Sequence, residues 1–271
     1  MKPAAYDLTL ATSLPDAVAA LGAHEGAKAV SGGCSLGPML NLRLARPSLL
    51  VDLRRVEALR ALKRSDTHLE IGAGWTHGEI EDGVVPDVTA GLMARVAHGI
   101  AYRAVRNRGT IGGSLAHADP AADWVSTMAV LDARLVITGA GGTRLSRLGD
   151  FMIAAYTTSL ADDEILSAVQ VPVLSATARA GYHKVCRKTG EFAQAIGAVV
   201  LDREAGLARV VCGAIEAPPV VLEATSAALL KGEPVERVAD EEVEAALAGH
   251  PASFRAMHRA AVARALNEVG A

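Results

Sequence analysis

Aromatic residues are scarce in this chain, at 3% of 271 residues, while apolar residues reach 51%. A core must therefore be built mainly from Ala, Val, Leu and Ile. Cysteine is scarce too. Cys34, Cys186 and Cys212 are odd in number, far apart and free of any CxxC pair, which excludes a disulfide framework and an iron–sulfur or zinc site encoded within the chain. Long apolar runs are missing. Nothing approaches the ~20 residues of a spanning helix, and the start, Met-Lys-Pro-Ala-Ala-Tyr-Asp-Leu, lacks the apolar core of a signal peptide. A cytoplasmic protein is the expectation. Charge of one sign is also lacking: the net charge is −3 with no basic block, which argues against nucleic acid or an anionic membrane as the main partner. His77, His98 and the other histidines have no metal-ligand spacing and read as structural. There is no internal repeat and no low-complexity linker.

What is present is an alternation of short strands and helices. Residues 4–10, 27–30 and 49–53 read as strands, with helices over 16–21 and 36–44 between them. From about 56 the character changes. Residues 69–75, 133–138 and 164–171 read as strands, with a turn over 139–142 and its partner strand at 143–145. Helical spacing runs through 84–105 and again over 124–131, and Trp75 and Trp124 read as core. Phe151 and Tyr156 fall in a helical or irregular piece. The last hundred or so residues look like a separate unit. Residues 180–186 alternate as a strand with one wet face would, 195–201 and 208–215 are apolar strands, and 221–230, 240–248 and 252–269 are amphipathic helices. This organisation divides the chain at 1–55, 56–173 and 174–271.

Two small-residue stretches sit at strand-to-helix turns. One is Ser31-Gly-Gly-Cys-Ser35 and the other is Gly109-Thr-Ile-Gly-Gly-Ser-Leu-Ala-His-Ala-Asp-Pro-Ala-Ala-Asp123. Gly109, Gly112 and Gly113 lack a Cβ, so positive φ or close approach to another molecule is open to them. Such turns can aim several N–H groups at a phosphate. In the second stretch Asp119-Pro120 reads as a helix start, with Asp119 as N-cap, Pro120 at the first position and Asp123 in the first turn. A tight turn before a helix is the plain alternative. Two phosphate cradles suggest two phosphates, or one pyrophosphate gripped from both sides. Neither stretch fits GxGxxG or GxxxxGK[ST], so a Rossmann site and a P-loop are poor readings.

The runs Ser-Gly-Gly-Cys-Ser-Leu-Gly-Pro-Met-Leu-Asn-Leu-Arg-Leu-Ala-Arg-Pro (31–47), Arg-Asn-Arg-Gly-Thr-Ile-Gly-Gly-Ser-Leu-Ala-His-Ala-Asp-Pro-Ala-Ala-Asp (106–123) and Lys-Val-Cys-Arg-Lys-Thr-Gly-Glu-Phe-Ala (184–193) closely resemble the FAD-binding medium subunit of molybdenum hydroxylases, the carbon monoxide and xanthine dehydrogenase type. The resemblance spans essentially the whole chain. It implies an α+β fold: a PCMH-type, vanillyl-alcohol-oxidase-like FAD-binding part in two α/β subdomains, and a C-terminal domain with a three-stranded antiparallel sheet and helices. It implies that backbone groups of Ser31, Gly32, Gly33, Cys34, Ser35 and Leu36, and of Thr110, Ile111, Gly112, Gly113 and Ser114, hold the FAD pyrophosphate. Asp123, and with it Asp119, would bond a polar edge of the cofactor on its ribityl or adenosine side. Lys184 would lie near the flavin pyrimidine and Phe192 would stack near the isoalloxazine. His117 is placed to touch a phosphate, or to face solvent or a neighbouring subunit. Cys34 stands where relatives usually have His, Ser114 where many have Asn, and Phe192 where Tyr is frequent. The [4Fe–4S] insertion of the benzoyl-CoA reductase branch is absent.

The resemblance also implies an oxidoreductase role: an electron-transfer subunit beside a molybdopterin-binding large subunit and a [2Fe–2S] small subunit. Electrons would pass from the clusters through FAD to NAD, a quinone or oxygen, in a hetero-hexamer of two heterotrimers. A stand-alone FAD oxidase or dehydrogenase of a small molecule is the alternative, with Tyr156 or His183 as its only candidate acid or base. Covalent flavin attachment at Cys34 is conceivable, but a small residue that fits the loop is the simpler reading. Arg106 and Arg108 could steer the pyrophosphate, but a solvated pair before the turn is the simpler reading, and Asp52 with Arg54 reads as a strand-end contact.

Overall fold

The computed structural model describes residues 2–271. The chain begins with β1 (Asp7–Leu10), α1 (Leu14–Gly22), β2 (Lys28–Val30), α2 (Leu36–Asn41) and β3 (Leu49–Asp52). The three strands form a parallel sheet in the order β1–β3–β2. Parallel neighbours need crossovers, and the two helices supply them. Ser13 starts α1 by accepting the Asp16 N–H at 3.2 Å, with proline in the first turn. The central strand β3 is buried along its whole length, as its Leu-Leu-Val run requires. Helix α2 ends earlier than the 36–44 spacing predicts. Arg43 turns to positive φ (60°), which stops the helix before Pro47 acts.

The next stretch holds β4 (Leu62–Arg64), β5 (His68–Gly72), α3 (His77–Glu81), α4 (Leu92–His98), α5 (Arg103–Arg106), α6 (Ile111–His117), α7 (Asp123–Val130), β6 (Arg134–Gly139), β7 (Gly142–Arg147), α8 (Leu148–Phe151), β8 (Met152–Ala154), β9 (Thr157–Thr158) and β10 (Ile165–Pro172). Strands β4–β5–β10–β6–β7 form an antiparallel sheet in that order, and β8 pairs with β9. Strand β4 was not foreseen, being only three residues long. The helical spacing over 84–105 is split between α4 and α5. Gly91 (φ 77°) opens α4 and Ala101 (φ 43°) reverses the chain between the two.

The last stretch holds β11 (Arg179–Val185), β12 (Ala195–Asp202), β13 (Leu207–Gly213), β14 (Val220–Val221), α9 (Glu223–Lys231), α10 (Glu236–Ala246) and α11 (Ala252–Glu268). Three long antiparallel strands carry a two-residue fourth at the edge, in the order β11–β12–β13–β14. One face of this sheet joins Ile196, Ala198 and Val211 to Trp124 and Met128 of α7 in one core. The other joins Val199 and Val210 to Val262 and Leu266 of α11. The β11 face predicted to be wet is therefore covered: His183 meets Arg264 of α11 at 3.1 Å. Each fully buried aliphatic side chain contributes about 1.5–3 kcal/mol relative to exposure. The core thus ties the C-terminal sheet to α7, the helix that carries Asp123. No helix among the described residues is long and apolar enough to cross a membrane.

Candidate functional site

The two glycine turns meet. Gly32 lies so close to the other turn that a Cβ on it would sit 2.0 Å from the Arg108 carbonyl oxygen and 2.9 Å from the Gly109 Cα. Thr110 Oγ1 donates to Ser31 Oγ at 3.3 Å, and Arg108 Nε to the Gly32 carbonyl at 3.4 Å. Thr110 also caps α6, accepting the Gly113 N–H at 3.1 Å.

Their roles are unequal. The N–H groups from Ser31 to Leu36 donate to no protein acceptor among the described residues. Gly33 adopts positive φ (72°), a conformation that a residue with a Cβ rarely takes. In the second turn most amides are already used. Ile111 donates to the Trp75 carbonyl at 3.0 Å, Gly112 to that of Ala73 at 3.0 Å, and Ser114 to that of Thr110 at 3.0 Å. Gly109, Gly112 and Gly113 are not at positive φ. Gly112 is needed for close approach instead, since a Cβ there would lie 2.4 Å from Ala73 Cβ. The stretch predicted to be a second cradle is a helix start locked onto its neighbours. The helix expected after Asp119-Pro120 begins at Asp123 with Ala122 as N-cap. Asp119 Oδ1 instead accepts the Ala121 N–H at 2.9 Å, closing a local turn.

Beside the joined turns lies a cleft of about 390 Å³ lined by Ser31, Gly32, Arg54, Arg60, Arg108 and Thr110, among others. Arg54 is tied to Asp52 at 2.6 Å, the foreseen strand-end contact. Arg60 is tied to Glu79 at 2.6 Å and lies 4.0 Å over the Trp75 ring. Its guanidinium and the Thr76 capping box draw Glu79 down to about 2. Arg108 has no carboxylate partner among the described residues. Arg106 is not its solvated twin. It is buried, bonded to Glu81 at 2.7 Å and to the carbonyls of Ile100 and Ala101 at 3.0 Å. Cys34 points its thiol at the carbonyls of Gly32 and Val105, both at 3.8 Å, and burial raises its pKa. That suppresses the thiolate.

Asp123 and Lys184 come together although 61 residues apart. Lys184 Nζ lies 2.9 Å from Asp123 Oδ1 and donates to the Gly99 carbonyl at 2.9 Å. The Tyr182 hydroxyl donates to Asp123 Oδ1 at 2.8 Å. Burial raises the Asp123 carboxyl, while Lys184 and Tyr182 pull it down. Burial and that carboxylate push the Tyr182 phenol well up. Phe192 is 68% exposed on the loop after β11. That loop rests on Gly190, which pairs with Ile100. Gly113 is exposed along α6, with Ser114 and His117 half-buried. His117 packs on Tyr156 with ring centroids 5.2 Å apart. The Tyr156 phenol is raised by burial and by Asp119. His183 points to α11 on the opposite face from Lys184, as strand alternation requires.

Sequence reasoning missed Tyr182 and Arg60, and read His77 as structural without its partner. His77 Nδ1 accepts Trp124 Nε1–H at 3.0 Å, and burial drags its pKa to about 4. The period-2 relation of Tyr182 to Lys184 was a readable signal for Tyr182, and Thr76-x-x-Glu79 for the capping box. Nothing local marks Arg60. No group of three His, Cys, Asp or Glu among the described residues is placed to hold a metal ion.

Residues 4–174 match the family described as the FAD binding domain in molybdopterin dehydrogenase. The chain is 35% identical over 212 residues to the 6-hydroxypseudooxynicotine dehydrogenase complex subunit alpha of Paenarthrobacter nicotinovorans, covering 77% of this chain and 72% of that one. It is 34% identical over 207 residues to the carbon monoxide dehydrogenase medium chain of Hydrogenophaga pseudoflava, covering 76% and 72%. A solved carbon monoxide dehydrogenase from the same organism, lacking the Mo-pyranopterin moiety, superposes with a TM-score of 0.91 at 32% identity, covering 100% of this chain and 99% of that one.

Proposed function

This chain belongs to the family of FAD-binding domains of molybdopterin dehydrogenases, and from that membership we propose that it is the electron-transfer medium subunit of a molybdenum hydroxylase. In this reading a molybdopterin-binding large subunit oxidises the substrate. A [2Fe–2S] small subunit delivers single electrons to the FAD, and NAD, a quinone or oxygen receives them. The complex is a hetero-hexamer of two heterotrimers acting in the cytoplasm. The three units are those bounded at 55 and 173.

The residues fit the cofactor. One observation carries the reading: a run of unengaged amides from Ser31 to Leu36 beside the Arg108 guanidinium, which no carboxylate neutralises among the described residues. Several N–H groups without a protein acceptor beside a cation match the acceptor oxygens and charge of a pyrophosphate. Bound FAD supplies the exchange between one- and two-electron carriers. The chain's residues bind and tune. The Ser31–Leu36 amides hold the diphosphate, and Thr110 to Ser114 form the wall that fixes them. His117 and Asp119 border the ribityl side along α6. Phe192 covers the ring system and Lys184 stands at its pyrimidine edge, where a cation favours added negative charge. Asp123 acts through Lys184 rather than as a free acceptor, because the Tyr182 hydroxyl donates to Oδ1 and the Lys184 ammonium, 2.9 Å from Oδ1, donates to Oδ2 at 3.1 Å.

The test is purification of the chain alone, expected to carry one FAD, followed by co-expression with the genes beside its own. A folded, colourless chain that refuses added FAD would overturn the proposal. Substrate turnover by the isolated chain would instead support a stand-alone oxidase.

A further inference from the structure

We propose that Tyr182 is a positioning residue whose hydroxyl, acting through Asp123, sets how much of the Lys184 charge reaches the flavin. The inference rests on the assignment of Lys184 to the flavin edge made above. Tyr182 and Lys184 are two apart on β11 and share one face, so both reach Asp123 at the first position of α7. The hydroxyl donates at 2.8 Å to the same Oδ1 that lies 2.9 Å from the ammonium. A hydrogen bond to a carboxylate oxygen draws charge from it, so the pair neutralises the lysine less completely. The Asp123 and Lys184 side chains are 7% and 10% exposed, so little solvent evens out the difference.

The lysine's other anchors leave one way to act. Nζ has three N–H donors. One goes to the Gly99 carbonyl at 2.9 Å and one to Asp123. The remaining donor is free for the cofactor. A stronger pull by Asp123 draws the ammonium toward α7 and weakens its field on the flavin side. The Tyr182 hydroxyl opposes that pull.

The experiment is redox titration of the FAD-loaded full chain against reference dyes, with FAD affinity followed alongside. Lys184→Met is expected to lower the flavin reduction equilibrium constant about tenfold, near 30 mV for a two-electron couple. Tyr182→Phe is expected to lower it about threefold, and the double variant to match Lys184→Met alone. Replacing the four tyrosines by 3-fluorotyrosine keeps the packing and strengthens the donor, so it should raise the constant. This arm serves if Tyr182→Phe does not fold. A shift with Lys184→Met but none with Tyr182→Phe or fluorotyrosine overturns the role of Tyr182 alone. A Tyr182→Phe shift that persists without the lysine overturns it as well. No shift with Lys184→Met overturns both this inference and the placement of Lys184 beneath it.

Discussion

Gly32→Ala tests whether the two turns are held in contact. The added methyl would lie 2.0 Å from the Arg108 carbonyl oxygen and 2.7 Å from its carbon. Both are backbone atoms, so no rotamer change relieves the clash, and the turns must part by about 1 Å or more to reach van der Waals distance. Overpacking of this kind costs about 1–3 kcal/mol. Parting also stretches the Thr110–Ser31 and Arg108–Gly32 bonds, 3.3 and 3.4 Å long, at about 0.5–1.5 kcal/mol each. A loss of about 2–6 kcal/mol in the apo chain is expected. Two neighbours serve as controls. Gly33→Ala meets nothing nearer than Val30 Cγ2 at 3.7 Å, but its φ of 72° costs a side chain about 1–2 kcal/mol. Gly37→Ala opens into free space inside α2 and should gain up to about 1 kcal/mol. Urea unfolding of the apo variants should rank Gly37→Ala at or above wild type, then Gly33→Ala, then Gly32→Ala. FAD titration by flavin fluorescence should show at least about a tenfold loss for Gly32→Ala, equivalent to 1.4 kcal/mol. Wild-type stability and FAD affinity in Gly32→Ala would refute the argument.

Three further outcomes are expected. His77 has its pKa lowered from 6.5 to about 4 by burial, so the unfolded chain binds the proton more tightly. Its contribution is whole above pH 6.5, erodes as pH falls and is gone near 4, about 3 kcal/mol in all. The stability difference between wild type and His77→Gln should shrink across that window, and a pH-independent difference would sink the idea. Arg108→Gln should weaken FAD binding about tenfold at low salt and less at high salt. Arg54→Gln should weaken it less, because Asp52 already engages Arg54, so equal losses would contradict the roles given to the two. Acid precipitation of the holoprotein should release all flavin to the supernatant, and Cys34→Ala should still bind it. Flavin retained on the wild-type chain but not on the variant would contradict a thiol whose pKa is raised by burial.

Local chemistry made much of this protein legible. Period-2 and 3.6-residue spacing marked most strands and helices, because a single strand or helix must carry its own apolar face. Gly32-Gly33 and Gly112-Gly113 stood out because small residues at strand-to-helix turns are a local signal, and three motif-bearing segments pointed to the flavin family that residues 4–174 match. The same residues misled where distance decided. Gly112 is small because Ala73 lies against it, not because its φ is positive. Arg106 looked solvated until Glu81 and two carbonyls closed around it. The 84–105 periodicity hid the reversal at Ala101. Which amides remain free, and which carboxylate meets which cation, depends on atoms dozens of residues apart. The pairing of Tyr182 and Lys184 with Asp123 exists only because the C-terminal sheet packs on α7. Sequence by itself marked most of the elements and two glycine turns suited to a phosphate, since these follow from short-range pattern, and its resemblance to a known family implied the cofactor. Tertiary packing alone decided which turn keeps its amides unengaged and which is locked onto its neighbours, because a hydrogen bond or a clash is settled at about 3 Å between chain segments that sequence does not bring together.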